Sequence, residues 1–170
     1  MKCIVTGGAG FIGSNLVDRL IDDGHEVIVL DDLSTGNGEN INSKAKFYKV
    51  DVSKKSDFYL GWRKDRENFG WTGLFEGVDV VFHLAALARV QPSIENPLPY
   101  HDKNVNGLIN VLEECREHGI KKLVFSSSSS VYGDVEEKDL PTSESDGLNP
   151  MSPYALHKSV GEQYCKLYSE

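Results

Sequence analysis

Hydrophobic and polar positions along the chain follow two periods in turn. Short, nearly unbroken apolar runs at Lys2–Thr6, Glu26–Leu30 (EVIVL), Val78–Leu84 (VDVVFHL) and Lys122–Phe125 (KLVF) predict strands covered on both faces. Phe47–Val50 is a weaker fifth strand. Helical spacing fills the intervals. Ser14–Asp22 gathers Leu16, Val17, Leu20 and Ile21 on one face, and Gly24 stops it. A longer stretch, roughly Tyr100 to His118, gathers Val105, Leu108, Ile109, Val111 and Leu112, with Gly119 beyond its end. A last periodic segment starts at Pro153 and runs to the end of the chain. Alternation of apolar strands with helices predicts an α/β fold, a parallel sheet wrapped by helices on both sides. Lys54–Gly77, where Phe58, Trp62, Phe69, Trp71 and Phe75 stand among many charges, reads as a helix with an enlarged connection. Asp134–Asp146, acidic and rich in turn residues, reads as a surface loop.

Composition narrows the class. The 170 residues carry 18 Lys+Arg against 26 Asp+Glu, a net charge of −8. That length suits one domain, residues 1–170, able to bury a core without disulfide or metal staples. Net acidity argues against a nucleic-acid partner, which wants a basic stripe. No apolar run reaches the length of a membrane span, and the amino-terminal run is too short for a signal peptide. Cys3, Cys115 and Cys165 are far apart and lack metal-ligand spacing. They read as small buried or half-buried residues of a reducing, cytoplasmic setting, with no metal role.

The first chemical signal is Thr6-Gly7-Gly8-Ala9-Gly10-Phe11-Ile12-Gly13, which holds G-x-G-x-x-G at positions 8, 10 and 13 and G-x-x-G-x-x-G at 7, 10 and 13. Glycines permit a tight turn, bring backbone amides against a pyrophosphate and let a helix pack close to a strand. A glycine string alone could be an ordinary turn. Here it follows a strand, opens an amphipathic helix and precedes a strand ending in Asp31-Asp32, the setting that a dinucleotide fingerprint requires. Asp31, 18 residues after Gly13, would accept hydrogen bonds from the adenosine ribose, and its charge would repel a 2′-phosphate. NAD is therefore expected rather than NADP.

The second signal is Ser152-Pro153-Tyr154-Ala155-Leu156-His157-Lys158. Ser152 suits an N-cap, Pro153 the first helical position, and Tyr154 and Lys158 then share one helix face. An ammonium about 4 Å from a phenolate, at an effective dielectric near 20, favours the anion by about 4 kcal/mol, roughly 3 pKa units. Tyr154 then becomes a usable acid or base. Such pairs are common and prove little in isolation. Phe125-Ser126-Ser127-Ser128 adds weight, because a serine segment directly after a buried strand falls where doubly wound sheets bind ligands.

Taken together, TGGAGFIGS (Thr6–Ser14), DDLSTG (Asp31–Gly36), DV (Asp51-Val52), VFHLAA (Val81–Ala86), NVNG (Asn104–Gly107), FSSSSSVYG (Phe125–Gly133) and SPYALHK (Ser152–Lys158) resemble the extended short-chain dehydrogenase/reductase superfamily. Within it, the chain is most similar to the NAD-dependent nucleotide-sugar epimerase/dehydratase family, of the type that interconverts UDP-glucose and UDP-galactose at C4. The resemblance implies a Rossmann-like, doubly wound parallel sheet with NAD as cofactor. It implies Gly7, Gly10, Phe11 and Ile12 at the pyrophosphate, with Asp31 and its neighbour Asp32 at the adenosine ribose. Asp51 and Val52 would face the adenine, Leu84, Ala85 and Ala86 would line the channel, and Asn104 would hold the helix and loop near the nicotinamide. Ser128 would hydrogen-bond the sugar oxygen, Tyr154 would take its proton, and Lys158 would bind the nicotinamide ribose. Related dehydratases follow the catalytic hydroxyl with an Asp-Glu pair; Ser129-Ser130 stand here, which points to epimerisation rather than elimination.

The resemblance also implies more chain than these residues. Family members continue past the tyrosine–lysine helix into further strands and a smaller substrate domain. This sequence is therefore expected to be a cofactor half with a sticky sheet edge. A non-catalytic NAD-binding fragment, and a dehydratase or reductase on the same fold, are the competing readings. The family's paired-helix dimer would use the segments near Tyr100–His118 and Pro153–Tyr168. The stripe Val160, Tyr164, Leu167 and Tyr168 suits such a homodimer and ordinary core packing equally. His83 reads as a satisfied strand-end histidine, His157 as facing solvent, and Arg89 as either a substrate-phosphate ligand or a solvated loop residue.

Overall fold

In the computed structural model, which describes residues 1–54, 71–137 and 140–170, the five predicted strands are present. They are β1 (Lys2–Thr6), β2 (Glu26–Asp31), β3 (Lys46–Lys49), β4 (Val80–His83) and β5 (Leu123–Phe125). They form one parallel sheet in the order β3-β2-β1-β4-β5, with Val5 of β1 opposite Val29 of β2 and Phe82 of β4. The period-two pleat explains why the strands are apolar throughout. Cys3, Val5, Val27, Val29 and Val80 pack on one face against Val17 and Leu20 of helix α1 (Phe11–Asp22). Ile4, Ile28, Leu30 and Val81 pack on the other, against Val111 and Cys115 of a later helix and against Trp71 and Phe75. Helices therefore cover both faces, the doubly wound arrangement. Chain direction diverges between β1 and β4, and in such sheets the crevice at the carboxyl ends of those strands is where ligands bind.

The long predicted helix is built in pieces. α2 (Val90–Glu95) and α3 (Pro97–His101) lead into a single π-helical turn, Asp102–Asn106, and then α4 (Gly107–Glu117). The wider turn changes the side-chain phase, so that Asn104 and Val105 are both buried. α2 has too few apolar residues to announce itself; only Ser93 of its six residues is buried. α5 (Pro153–Ser169) starts where the Ser-Pro signal predicts, with Ser152 accepting a hydrogen bond from the Ala155 amide at 3.1 Å. Of the Lys54–Gly77 segment, residues 55–70 lie outside the described residues; Trp71–Phe75 is a 3-10 turn whose two aromatic rings are buried.

One expectation needs correction. His157 does not face solvent. It is 6% exposed and packs edge-on against His101, ring centroids 5.3 Å apart, because its side of α5 meets the α3 segment. Of the apolar stripe on α5, Val160, Tyr164 and Tyr168 are half-buried and Leu167 is 64% exposed, while the fully buried side carries Ala155, His157, Lys158, Ser159 and Gly161. Small residues prevail there because α5 lies close to β5: a Cβ on Gly161 would stand 2.5 Å from the Phe125 ring. Cys3 and Cys115 are buried and Cys165 half-buried, all as free thiols. No helix among the described residues is long and apolar enough to cross a membrane.

Glu114 on α4 is fully buried. Its carboxylate oxygens accept no hydrogen bond among the described residues, and His118 Nδ1 lies 3.5 Å from Oε2. Burial, reinforced by Glu117 and Glu113, raises its pKa from 4.5 to about 7. The folded state therefore keeps a proton that the unfolded chain releases, so this contribution is complete below pH 4.5 and is lost as pH rises through about 7. Glu114→Gln is expected to gain stability relative to the parent protein between about pH 5 and about pH 8, read from urea midpoints. A difference that does not change with pH would refute this.

Candidate functional site

The glycine loop is held by backbone geometry that side chains would obstruct. Gly7 has φ of +73°, donates its amide to Leu30 O at 2.8 Å, and lies so close to β4 that a Cβ would stand 2.7 Å from the Ala85 nitrogen. A Cβ on Gly13 would stand 2.2 Å from Gly7 O and 2.8 Å from Gly8 Cα. Gly10 is the N-cap of α1 and offers no side-chain acceptor. The first amides of that helix lack intrahelical acceptors, and with the helix dipole they present positive potential to the adjoining space.

That space is a cavity of about 650 Å³ along the carboxyl ends of the strands. Gly7, Gly10, Phe11 and Ile12 line it at the helix end, Phe11 and Ile12 being largely exposed. Asp31, Asp32, Asp51 and Val52 line it at the ends of β2 and β3, and Leu84, Ala85 and Ala86 after β4. Ser126, Ser127, Ser128, Tyr154 and Lys158 line the opposite wall, and Arg89, otherwise exposed, also reaches it. Asn104 stands behind the wall. Its Oδ1 accepts from the Leu87 amide at 2.8 Å and its Nδ2 donates to Leu87 O at 3.0 Å, which fixes the loop after β4.

The two aspartates at the end of β2 differ. Asp31 is buried; its carboxylate accepts from the Ala9 amide at 3.0 Å and the Leu33 amide at 2.8 Å, tying the glycine loop to β2. Asp32 accepts from the Ser34 amide and from Lys103, whose Nζ lies 2.5 Å from Asp32 Oδ2 and 2.7 Å from Asp51 Oδ2. Burial works to raise the pKa values of Asp32 and Asp51, but the hydrogen bonds from Lys103 and from Ser34 or Ser53 prevail and hold them below the ordinary range. Lys103 answers in kind: burial works against its charge, and the two carboxylates raise its pKa nonetheless. Lys103 carries no recognisable sequence signal. Its neighbour Asn104 belongs to a motif, whereas a lysine 71 positions from Asp32 has no local pattern to betray the contact.

Helix α5 holds the serine segment. Tyr154, Lys158 and Glu162 recur at intervals of four on one helix face. Lys158 Nζ donates to Ser126 O at 2.6 Å and sits 4.8 Å from the Phe125 ring centroid; Ser127 Oγ donates to Glu162. Ser128 Oγ accepts from the Ser130 amide at 3.2 Å and from Ser130 Oγ at 2.9 Å, which leaves its own proton free to donate. The Tyr154 amide is anchored on Ser93 Oγ at 3.1 Å. Lys158 is 5% exposed, and burial pushes its pKa down to about 8. A cation so poorly solvated interacts strongly with any anion brought to the cavity wall. The pairing with Tyr154 expected from sequence becomes a shared wall, on which the ammonium bonds to the Ser126 carbonyl.

His83 lies beneath this wall, stacked on Phe125 at 6.1 Å between centroids. Thr6 Oγ1 accepts from the Ala85 amide and forms a 2.9 Å hydrogen bond with His83 Nδ1. The expected satisfied histidine holds for Nδ1 only; Nε2 is buried and has no partner among the described residues. Burial, with the Lys158 charge adding, lowers the pKa to about 3, so the ring is neutral.

The model of a family described as the NAD dependent epimerase/dehydratase family matches residues 3–170. The UDP-glucose 4-epimerase of Mycolicibacterium smegmatis is 43% identical over 169 residues, 99% of this chain and 51% of the relative. A Thermus thermophilus UDP-glucose 4-epimerase solved in complex with NAD superposes with a TM-score of 0.86 at 38% identity, over 99% of this chain and 50% of that one. A Thermotoga maritima UDP-glucose 4-epimerase solved with UDP-glucose gives 0.87 at 36% identity, over 99% and 51%. The chain thus spans about half the length of the relatives it matches.

Gly13→Ala tests the loop geometry directly. A methyl 2.2 Å from a backbone oxygen cannot be relieved by a rotamer change, so the loop itself must shift. The expected loss is about 1–3 kcal/mol, measured by urea unfolding; a variant as stable as the parent would contradict the observed packing.

Proposed function

The chain belongs to the NAD dependent epimerase/dehydratase family, and on that premise we propose that it binds NAD and acts in the C4 epimerisation of a UDP-sugar. One observation carries the reading: a single cavity receives the glycine loop, Asp31, the serine segment and the Tyr154–Lys158 face. The tight glycine loop, in which a Cβ on Gly7 or Gly13 would strike neighbouring backbone, suits a pyrophosphate drawn close to the chain. The relatives named above supply the substrate class.

In this reading Gly7, Gly10, Phe11 and Ile12 receive the pyrophosphate at the positive end of α1. Asp31 accepts from the adenosine ribose with the lone pairs that Ala9 and Leu33 leave free. Asp51 and Val52 border the adenine, and Leu84, Ala85 and Ala86 line the channel onward. Lys158 orients the nicotinamide ribose. Bound NAD supplies reversible hydride acceptance at the sugar C4. Ser128 donates its free proton to the C4 oxygen, and Tyr154 takes that oxygen's proton and later returns it. Lys158 opposes the negative charge that develops on Tyr154 from a wall with little water to screen it. Ser129 and Ser130 place no carboxylic acid directly after Ser128, so the acid/base partner for eliminating water is missing at that point.

Calorimetric titration is expected to show NAD binding, with NADP weaker because Asp31 opposes a 2′-phosphate. Failure to bind NAD would overturn the proposal. With NAD bound, UDP-galactose and UDP-glucose are expected to interconvert, and a product lighter by one water would assign the chemistry to a dehydratase instead. Tyr154→Phe is expected to lower interconversion by about 100-fold or more while leaving NAD affinity nearly unchanged. A fully active variant would remove Tyr154 from the mechanism.

A further inference from the structure

Lys103 joins two chain ends that the sheet alone leaves separate. It projects from the π-helical turn before α4, and its ammonium touches Asp32 at the end of β2 and Asp51 just past β3. All three residues line the cavity, and the lysine side chain is only 26% exposed. Lys54 also approaches Asp51, at 3.6 Å, but its side chain is 65% exposed and solvent weakens the contact. The next residue, Asn104, clamps Leu87 on the other side of the same turn. One short segment therefore braces two borders of the cavity. Asp31, Asp32 and Asp51 bring three carboxylates to this end, and without Lys103 the last two would face each other as like charges.

We propose that Lys103 is a cofactor-positioning residue, which bridges Asp32 and Asp51 so that the ends of β2 and β3 keep the spacing that receives an adenosine moiety. The proposal rests on the reading of the cavity as a dinucleotide site. Lys103 acts through the two carboxylates, which take two of its three N–H donors, and Asp32 is in turn held by the Ser34 amide. Asp32 thereby belongs to the bridge, whereas Asp31 keeps the role at the ribose.

The test is calorimetric binding of ADP and of NAD to the parent protein, Lys103→Met and Lys103→Met/Asp32→Asn, with far-UV circular dichroism to confirm folding. Lys103→Met is expected to weaken ADP and NAD by a common factor of about ten, because the damage is confined to the adenosine half. The added Asp32→Asn removes one of the two opposed charges and is expected to recover most of that loss, which a packing role for the lysine would not predict. If Lys103→Met fails to fold, the double variant still decides: near-parental affinity supports the bridge, and a folded double variant that binds neither ligand overturns it. Equal affinity in Lys103→Met and parent, or loss of NAD affinity without loss of ADP affinity, also overturns it. A parent protein that binds neither ligand refutes the dinucleotide reading instead, and the role of Lys103 with it.

Discussion

The whole site depends on how closely the glycine loop approaches the neighbouring backbone. Gly7 packs against the first residues after β4, and Gly13 packs against Gly7. These contacts leave no room for a single methyl group, and they set the first turn of α1 at the carboxyl end of β1, where the order of strand addition reverses towards β4. Partial positive charge from unpaired amides is thereby delivered to the cavity without spending a cationic side chain on it. Asp31 closes the arrangement from the other side, because its carboxylate is bonded to the Ala9 amide within the loop. Loop, helix end and β2 therefore behave as one rigid unit.

The opposite wall is built on different physics. α5 can lie against β5 because Gly161 meets the Phe125 ring with no side chain between them, and this closeness carries Lys158 into a poorly hydrated position beside Phe125. Burial of an ammonium is unfavourable, and the Ser126 carbonyl offsets only part of the cost; the pKa near 8 reflects the remainder. What is unfavourable for stability leaves a weakly screened cation at the cavity wall, where it acts strongly on any nearby anion. Ser127 bonded to Glu162 and Ser128 capping its own 3-10 turn keep the serine segment in register with Tyr154.

Charge across the cavity is thus graded. The end lined by Asp31, Asp32 and Asp51 is acidic and is tempered by Lys103, the centre is served by backbone dipoles, and the far wall carries Lys158. A ligand with neutral hydroxyls at one end and a pyrophosphate in the middle matches that gradient better than one bearing a phosphate at the ribose.

Much of this was legible in the sequence, because the relevant signals are local. Apolar runs of four to seven residues specify strands buried on both sides, glycines at positions 7, 10 and 13 specify a tight turn leading into a helix, and Ser152-Pro153 specifies a helix start. Tyr154 and Lys158 share a face by helical spacing alone. Tertiary structure decided what depends on distant contacts. It buried His157 against His101, broke the long helix with a π turn, gave Lys158 the Ser126 carbonyl as its partner, and brought Lys103 to two aspartates far away along the chain. Spacing along a chain encodes which side of an element a residue occupies; what stands opposite that side depends on how the elements pack, and no periodicity records it.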